Sequence, residues 1–347
     1  MNTAMPERTE KRKLSGRALL IILAGLLLLG IILSFLLGRY PVPPKELFGM
    51  FLSRLGFNIN HFWSETQEVA VFNIRLPRIL MAVLVGACLS AAGAAYQGVF
   101  QNPMASPDVL GASAGAGFGA ALGIYLGLSG TFVTLSAFAM SLVTVALVFL
   151  ISRRTKGEKV MGLVLAGIIV SSLFQSGTSF IKLVADPTNK LPAITYWLMG
   201  SLVGATNKEI KMIILPMLIG LLPLILLRWR LNVLTVGDDE ARALGVDAGK
   251  LRLISVISAT LVTAAAVSVS GMIGWVGLVI PHVIRRIVGS DYRYLMPASV
   301  LGGGLFLLIV DDFSRNIASA EIPIGILTSL IGAPFFLLLI TRREETR

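Results

Sequence analysis

The residues with the strongest chemical character are a few charges set inside long apolar runs. Asp311, Asp312 and Arg315 fall toward the end of a run that begins near residue 295, and Asp311 and Arg315 stand one helical turn apart. Arg75 and Arg78 flank Leu76-Pro77 at the opening of another run. A central arginine or aspartate costs at least about 2.5–3.5 kcal/mol on membrane-insertion scales, so such residues pair with one another or face water. Two readings fit them. One is a snorkelling or self-neutralising set; the other is a cationic outer rim that meets an acidic partner. The arginines alone do not decide between the two.

Covalent chemistry has little to work with. Histidine occurs only as His61 and His282, and neither has a second histidine or cysteine at metal-ligand spacing, so no metal site is expected. Cys88 is the single cysteine and sits in an apolar run, where it reads as a small hydrophobe; no disulfide framework is possible. Gly245-Val-Asp-Ala-Gly249-Lys250 looks superficially like a phosphate loop. It is one residue short of GxxxxGK, lacks Ser or Thr after the lysine and follows no predicted strand. No catalytic residue and no bound cofactor are therefore expected, and ATP-driven work would need a separate subunit.

The elements that must hold these charges are membrane spans. The chain is 55% hydrophobic and only 14% charged over 347 residues, with a mean hydropathy of +0.82. A soluble chain carries closer to a quarter charged residues. Apolar runs long enough to cross a bilayer, roughly 20 residues each, predict spans at 17–38, 72–98, 108–127, 131–151, 160–182, 209–228, 253–272, 275–289, 295–313 and 323–341. The first is too long for a signal-peptide core and lacks a small-residue cleavage site, so it reads as a retained helix.

Residues 253–289 admit one long helix or two short ones broken near Gly271-Met272-Ile273-Gly274, and charge decides. With two helices, 20 of the 30 Lys and Arg fall in the amino-terminal stretch through Arg17, the segments 152–159, 228–252 and 282–294, and the carboxyl tail, all on one side. The positive-inside rule makes that side the cytoplasm, with both termini there. The net charge of +11 is accounted for by these clusters, and nucleic-acid binding is not expected. The expected organisation is a basic tail 1–16, one transmembrane domain 17–341 and a short cytoplasmic tail 342–347.

Small residues carry the packing signal. Gly111, Gly115, Gly119, Gly123 and Gly127 recur every four residues, a ladder that lets a neighbouring helix approach closely in lipid. The outer segment 41–71 reads as amphipathic after Pro41-Val-Pro-Pro44. The inner segment 235–250 reads as a short helix, a glycine turn and a second helix start.

Taken in order, Ile74-Arg75-Leu76-Pro77-Arg78, then Gly98 through Asn102-Pro103-Met104 and Pro107 to Gly111, Gly237 to Gly245, Gly277-Leu-Val-Ile-Pro281-His282, and Ala320-Glu321-Ile-Pro323-Ile-Gly325 with Gly332-Ala-Pro334 closely resemble the FecCD-type permeases. These are the membrane subunits of bacterial ABC importers for iron-siderophores, haem and cobalamin. The resemblance covers about 70–341, and several ordered motifs together make chance agreement improbable.

It implies an all-α, ten-helix subunit of the type II importer architecture in the bacterial inner membrane, paired with a second permease subunit, identical or related. Its partners would be cytoplasmic ABC ATPases and an extracytoplasmic substrate-binding protein. Carried over residue by residue, Arg75, Arg78 and Arg315 match arginines that receive acidic residues of the binding protein. Gly237, Glu240, Ala241, Arg242, Leu244 and Gly245 match the segment that couples to the ATPase. Asn102-Pro103-Met104 matches a cytoplasmic constriction, faced by Val160 and Met161. There the sequence departs from the more polar cobalamin-type pattern, which weakens a cobalamin assignment.

A ferric siderophore is the expected cargo, with haem or cobalamin as alternatives. An ion-coupled secondary transporter fits less well. Such a protein needs buried mid-membrane carboxylates for its coupling ion, whereas Asp311 and Asp312 lie toward a span end beside Arg315.

Overall fold

The computed structural model describes residues 15–154 and 159–344. Most of the predicted amino tail, half of the carboxyl tail and part of the 152–159 loop lie outside those residues. Among the described residues there is no strand, and seven helices are long and apolar enough to span a bilayer. They are α1 (Gly16–Leu36), α3 (Glu65–Val99), α5 (Gly130–Ser152), α6 (Lys159–Val184), α8 (Asn207–Leu226), α11 (Ala248–Ser270) and α13 (Tyr292–Asn316). Three further helices, α4 (Ala112–Tyr125), α12 (Val276–Val288) and α14 (Ile324–Glu344), lie within the other three predicted spans. The remaining helices lie in the connections: α2 (Pro44–Arg54), α7 (Lys190–Leu198), α9 (Arg228–Leu234) and α10 (Asp238–Ala243).

α3 is the hub. Its apolar window is 83% buried, against 22% for α1, which shows its leucine and isoleucine side chains outward. Glycine explains how α3 tolerates so many neighbours. A Cβ added at Gly93 would lie 1.7 Å from the carbonyl oxygen of Gly277 on α12. One at Gly86 would lie 2.2 Å from that of Gly303 on α13, and the reverse substitution meets the same obstacle at 2.3 Å. Backbone rests on backbone, the arrangement that small residues permit when lipid offers no hydrophobic drive to association. The glycine ladder acts the same way between α4 and α5: a Cβ at Gly115 or Gly119 would fall 2.6 or 2.4 Å from Met140 or Ser136 carbonyl oxygens. Gly111, at positive φ at the start of α4, faces Ser171 of α6 and Thr144 of α5, whereas Gly127, also at positive φ, meets nothing within 4 Å.

Residues 253–289 form two helices, as the charge distribution requires. The break runs from Gly271, at φ +68°, to Trp275, at φ +70°. A Cβ at Gly271 would meet the Trp197 carbonyl oxygen at 2.2 Å, so both φ and space exclude a side chain. At 1.5 Å per residue the 13 residues of α12 span about 20 Å, short of the roughly 30 Å hydrocarbon core. The irregular 271–275 segment covers the remainder. α3 carries a second irregularity, a π-helical stretch at Ala70–Arg75, immediately before Pro77. Pro77 has no N–H to give the preceding turn, and the widened turn absorbs that loss.

Candidate translocation path and its two ends

Irregular backbone at membrane depth occurs where protein or a water-filled cavity can satisfy it. The 271–275 break does line cavities. Ser201 N–H donates to the Ser270 carbonyl at 2.7 Å, pinning the loop after α7 to the end of α11. On one side of the break lies a space of about 740 Å³ bordered by Thr134, Tyr196, Trp197, Glu209 and Ser268. On the other lies one of about 540 Å³ bordered by Asp108, Ser113, Met199, Met272, Gly325 and Ser329. Asp108 belongs to a one-turn 3-10 segment, Pro107–Leu110, and its carboxylate accepts from Ser113 Oγ. No Lys, Arg or His lines the second space.

Asp108, Met199 and Met272 were not anticipated as path residues. Their spacing carries no signature, and only the re-entrant break places them together. α6 approaches the same region through Gly167, where an added Cβ would lie 2.2 Å from Val109 carbonyl oxygen.

At the end where α3 begins, the expected open rim of cations takes a different form. Arg78 is 7% exposed and grips Asp311 with two nitrogens, Nε at 3.0 Å and Nη2 at 2.9 Å. Its Nη1 meets Glu321 at 2.8 Å. Arg315, also 7% exposed, pairs with Asp312 and stands 3.7 Å from Asp311, while Ser34 Oγ donates to Asp312. Arg75 is buried and donates to the carbonyls of Phe35 and Tyr40. The three arginines therefore do not present free charge. Arg78 and Arg315 are ion-paired and Arg75 rests on backbone carbonyls, and together they tie α1, α3, α13 and the 316–323 connection into one network, since a guanidinium at this depth needs polar partners. A small cleft of about 200 Å³, bordered by Arg39, Arg75, Arg78, Arg315 and Glu321, opens onto this network.

At the opposite end, Asn102 Oδ1 accepts from Met104 N–H at 2.9 Å and shapes the Asn102-Pro103-Met104 turn. Gln101, at φ +49°, donates through Nε2 to the Leu234 carbonyl at 2.6 Å. That bond joins the turn to α9, and so to the 235–250 segment. Asn102, Met104 and Met161 are exposed and Pro103 and Val160 half-buried. No hydrogen bond or ion pair joins Val160 or Met161 to the turn among the described residues.

In 235–250 the anticipated pattern is present. α10 follows Gly237, Gly245 turns the chain at φ +73°, and Asp247 caps α11 by accepting from Lys250 N–H at 3.0 Å. Ala241 is buried and anchors α10, whereas Glu240, Arg242 and Leu244 are exposed. Val236 and Leu244 leave apolar side chains in the open on this loop. Beside it, Asn232 donates to Asp291 at 2.9 Å and accepts from Tyr292 N–H at 2.7 Å. The Arg293 guanidinium, hydrogen-bonded to Asp291, draws that carboxyl down to about 2.

Seven long apolar helices, shorter apolar ones beside them and a broken segment bordering cavities suit a membrane permease, and comparison with known proteins places the chain more closely. The sequence profile of the FecCD transport family matches residues 26–342. The molybdate import system permease protein MolB of Haemophilus influenzae is 37% identical over 332 residues, covering 96% of each chain. The Fe(3+)-citrate import system permease protein YfmE of Bacillus subtilis is 37% identical over 340 residues, covering 97% of this chain and 98% of its own. A solved structure of a transporter described as metal-chelate type, in an inward-facing conformation, superposes with a TM-score of 0.84 at 36% identity over 94% of this chain and 99% of that one. The chain belongs to the FecCD transport family and is an ABC importer permease of the metal-chelate type.

Proposed function

We propose that this permease carries ferric chelates of the siderophore type across the bacterial inner membrane, with both termini in the cytoplasm. The observation that carries the reading is the lining of the 540 Å³ space: leucine, isoleucine and methionine side chains with glycine, serine and one aspartate, and no cation. A bulky chelate whose metal is already enclosed needs a smooth, weakly binding passage. A small oxyanion finds no positive partner there. Molybdate remains the second reading, supported by the 37% identity to MolB across nearly the whole chain.

Power comes from separate ATPase subunits that dock on 235–250, where Glu240, Arg242 and Leu244 form an exposed face anchored by Gly237, Ala241 and Gly245. An exposed apolar side chain in a charged loop suits a protein contact. The Gln101–Leu234 bond supports passing that motion to the Asn102-Pro103-Met104 turn, with Val160 and Met161 facing it as the cytoplasmic gate. Outside, the binding protein docks over the cleft above Arg75, Arg78 and Arg315. Because Arg78 and Arg315 are already paired, an acidic side chain of the binding protein would compete with the half-exposed Glu321 for Arg78. A second permease subunit, identical or related, completes the path.

Proteoliposomes holding this permease with its ATPase and binding protein, tested with radiolabelled iron-siderophore and molybdate, check the reading. Iron uptake should need ATP and the binding protein. Uptake of molybdate alone would transfer the assignment to the second reading, and uptake driven by a cation gradient without ATPase would overturn both.

A further inference from the structure

A third cavity, of about 580 Å³, lies away from the path, at the arginine-rich end of the bundle between the start of α1, the end of α8, α9 and the start of α13. Arg17, Arg228 and Arg293 face it from three different helices. Among the described residues Arg17 and Arg228 have no carboxylate within ion-pair distance. Arg293 pairs with Asp291 at 2.8 Å, leaving three guanidiniums against one carboxylate. Trp229 and Tyr294 add aromatic walls, and Arg230 stands 5.7 Å over the Trp229 ring. The seat is built rather than loose: a Cβ at Gly16 would fall 2.4 Å from Tyr294 Cγ, so α1 rests on that ring.

What covers this cavity is indicated by its flanks. Below it the lining is Leu20 and Leu226, and the outward faces of α1 and α8 are rows of exposed leucine and isoleucine, surfaces made for acyl chains. Tryptophan and tyrosine at that level mark the headgroup zone. Basic pockets between transmembrane helices on the cytoplasmic side take anionic headgroups.

We propose that this cavity is a binding site for an anionic phospholipid of the membrane leaflet it faces, with phosphate between Arg17, Arg228 and Arg293 and acyl chains along α1 and α8. The lipid would fasten peripheral α1 to α8 and α13 at the end from which the coupling segment departs. The inference depends on neither the cargo nor the driving force, so it stands or falls separately from the proposed function.

The test is native mass spectrometry of the complete transporter, released from membranes and offered cardiolipin, phosphatidylglycerol or phosphatidylcholine. The wild type should retain cardiolipin or phosphatidylglycerol in preference to phosphatidylcholine. The triple variant Arg17→Gln/Arg228→Gln/Arg293→Gln should weaken that retention by about tenfold, while Arg153→Gln/Arg154→Gln, basic residues remote from the cavity, should not. Should the triple variant not fold, Arg228→Gln alone should show a smaller loss that Arg228→Lys restores. Equal retention of phosphatidylcholine, unchanged binding by the folded variants, displacement by free glycerol phosphate, or exclusion of lipid by another subunit seated there would each overturn the proposal.

Discussion

Arg78 shows how a single side chain can be read correctly in type and incompletely in role. Asp311 and Arg315 are visible as a pair one turn apart, but the partner that matters most to Asp311 comes from a residue 233 positions away. No spacing rule reaches across that distance; it depends on Gly86 and Gly303 allowing α3 and α13 to touch. Truncating one member of a buried pair strands the other charge, at a cost of about 3–5 kcal/mol. Arg78→Ala should therefore sharply lower the thermal unfolding temperature of the detergent-purified protein. The double variant Arg78→Met/Asp311→Leu should recover much of the loss, since neither charge is then left alone. Equal instability of single and double variants would show that the pair does not hold this end of the bundle together.

Among the elements, the spans were legible because a bilayer imposes length and hydropathy together, and the break at 271–275 was legible because charge had to fall on the correct side. α7 was not. Its nine residues lie between Asp186-Pro187 and Gly200 and carry neither a long apolar run nor a distinct period, so nothing marks them before the cavities form. The glycine ladder announced its function but not its extent, since Gly127 at its end meets no neighbour and Gly111 faces α6 as well as α5. The most consequential contacts, those of Gly93 and Gly277, belong to no ladder. Gly93→Ala should push α12 from α3 and destabilise the protein by at least about 1–3 kcal/mol. Gly25→Ala, where an added Cβ meets nothing within 4 Å, should change stability by no more than about 0.5 kcal/mol. Comparing the unfolding temperatures of the two variants is the check, and similar values would contradict the close packing.

At the scale of the molecule, an importer alternates between two packings of one set of helices, biased by partners at its two ends. The cavity beside the 271–275 break should then change its exposure with nucleotide state. Met272→Cys is a suitable probe, because Cys88, the single natural cysteine, is fully buried and supplies a silent background. In the assembled transporter, labelling of Met272→Cys by a bulky, membrane-impermeant thiol reagent should differ between ATP-bound and nucleotide-free states, while the parent chain stays unlabelled. Identical labelling in both states would place the moving parts elsewhere. The path-lining residues were the least legible part of the site, because a passage meant to hold its cargo weakly is built from small and apolar side chains that look like any other membrane interior.

The bare contacts of α3 with α12 and α13 have a dynamic consequence. Where two helices meet through side chains, sliding one past the other means that interlocked rotamers must unlock and re-form, and ordering each flexible side chain carries an entropic charge. Glycine against glycine has less to unlock, although Ser90, Leu307 and Pro107 border these contacts. An axial shift of α3 along those seams would therefore cost less rotamer entropy than a shift along a seam filled with flexible side chains, while the Arg78–Asp311 pair at the start of α3 ties it to α13.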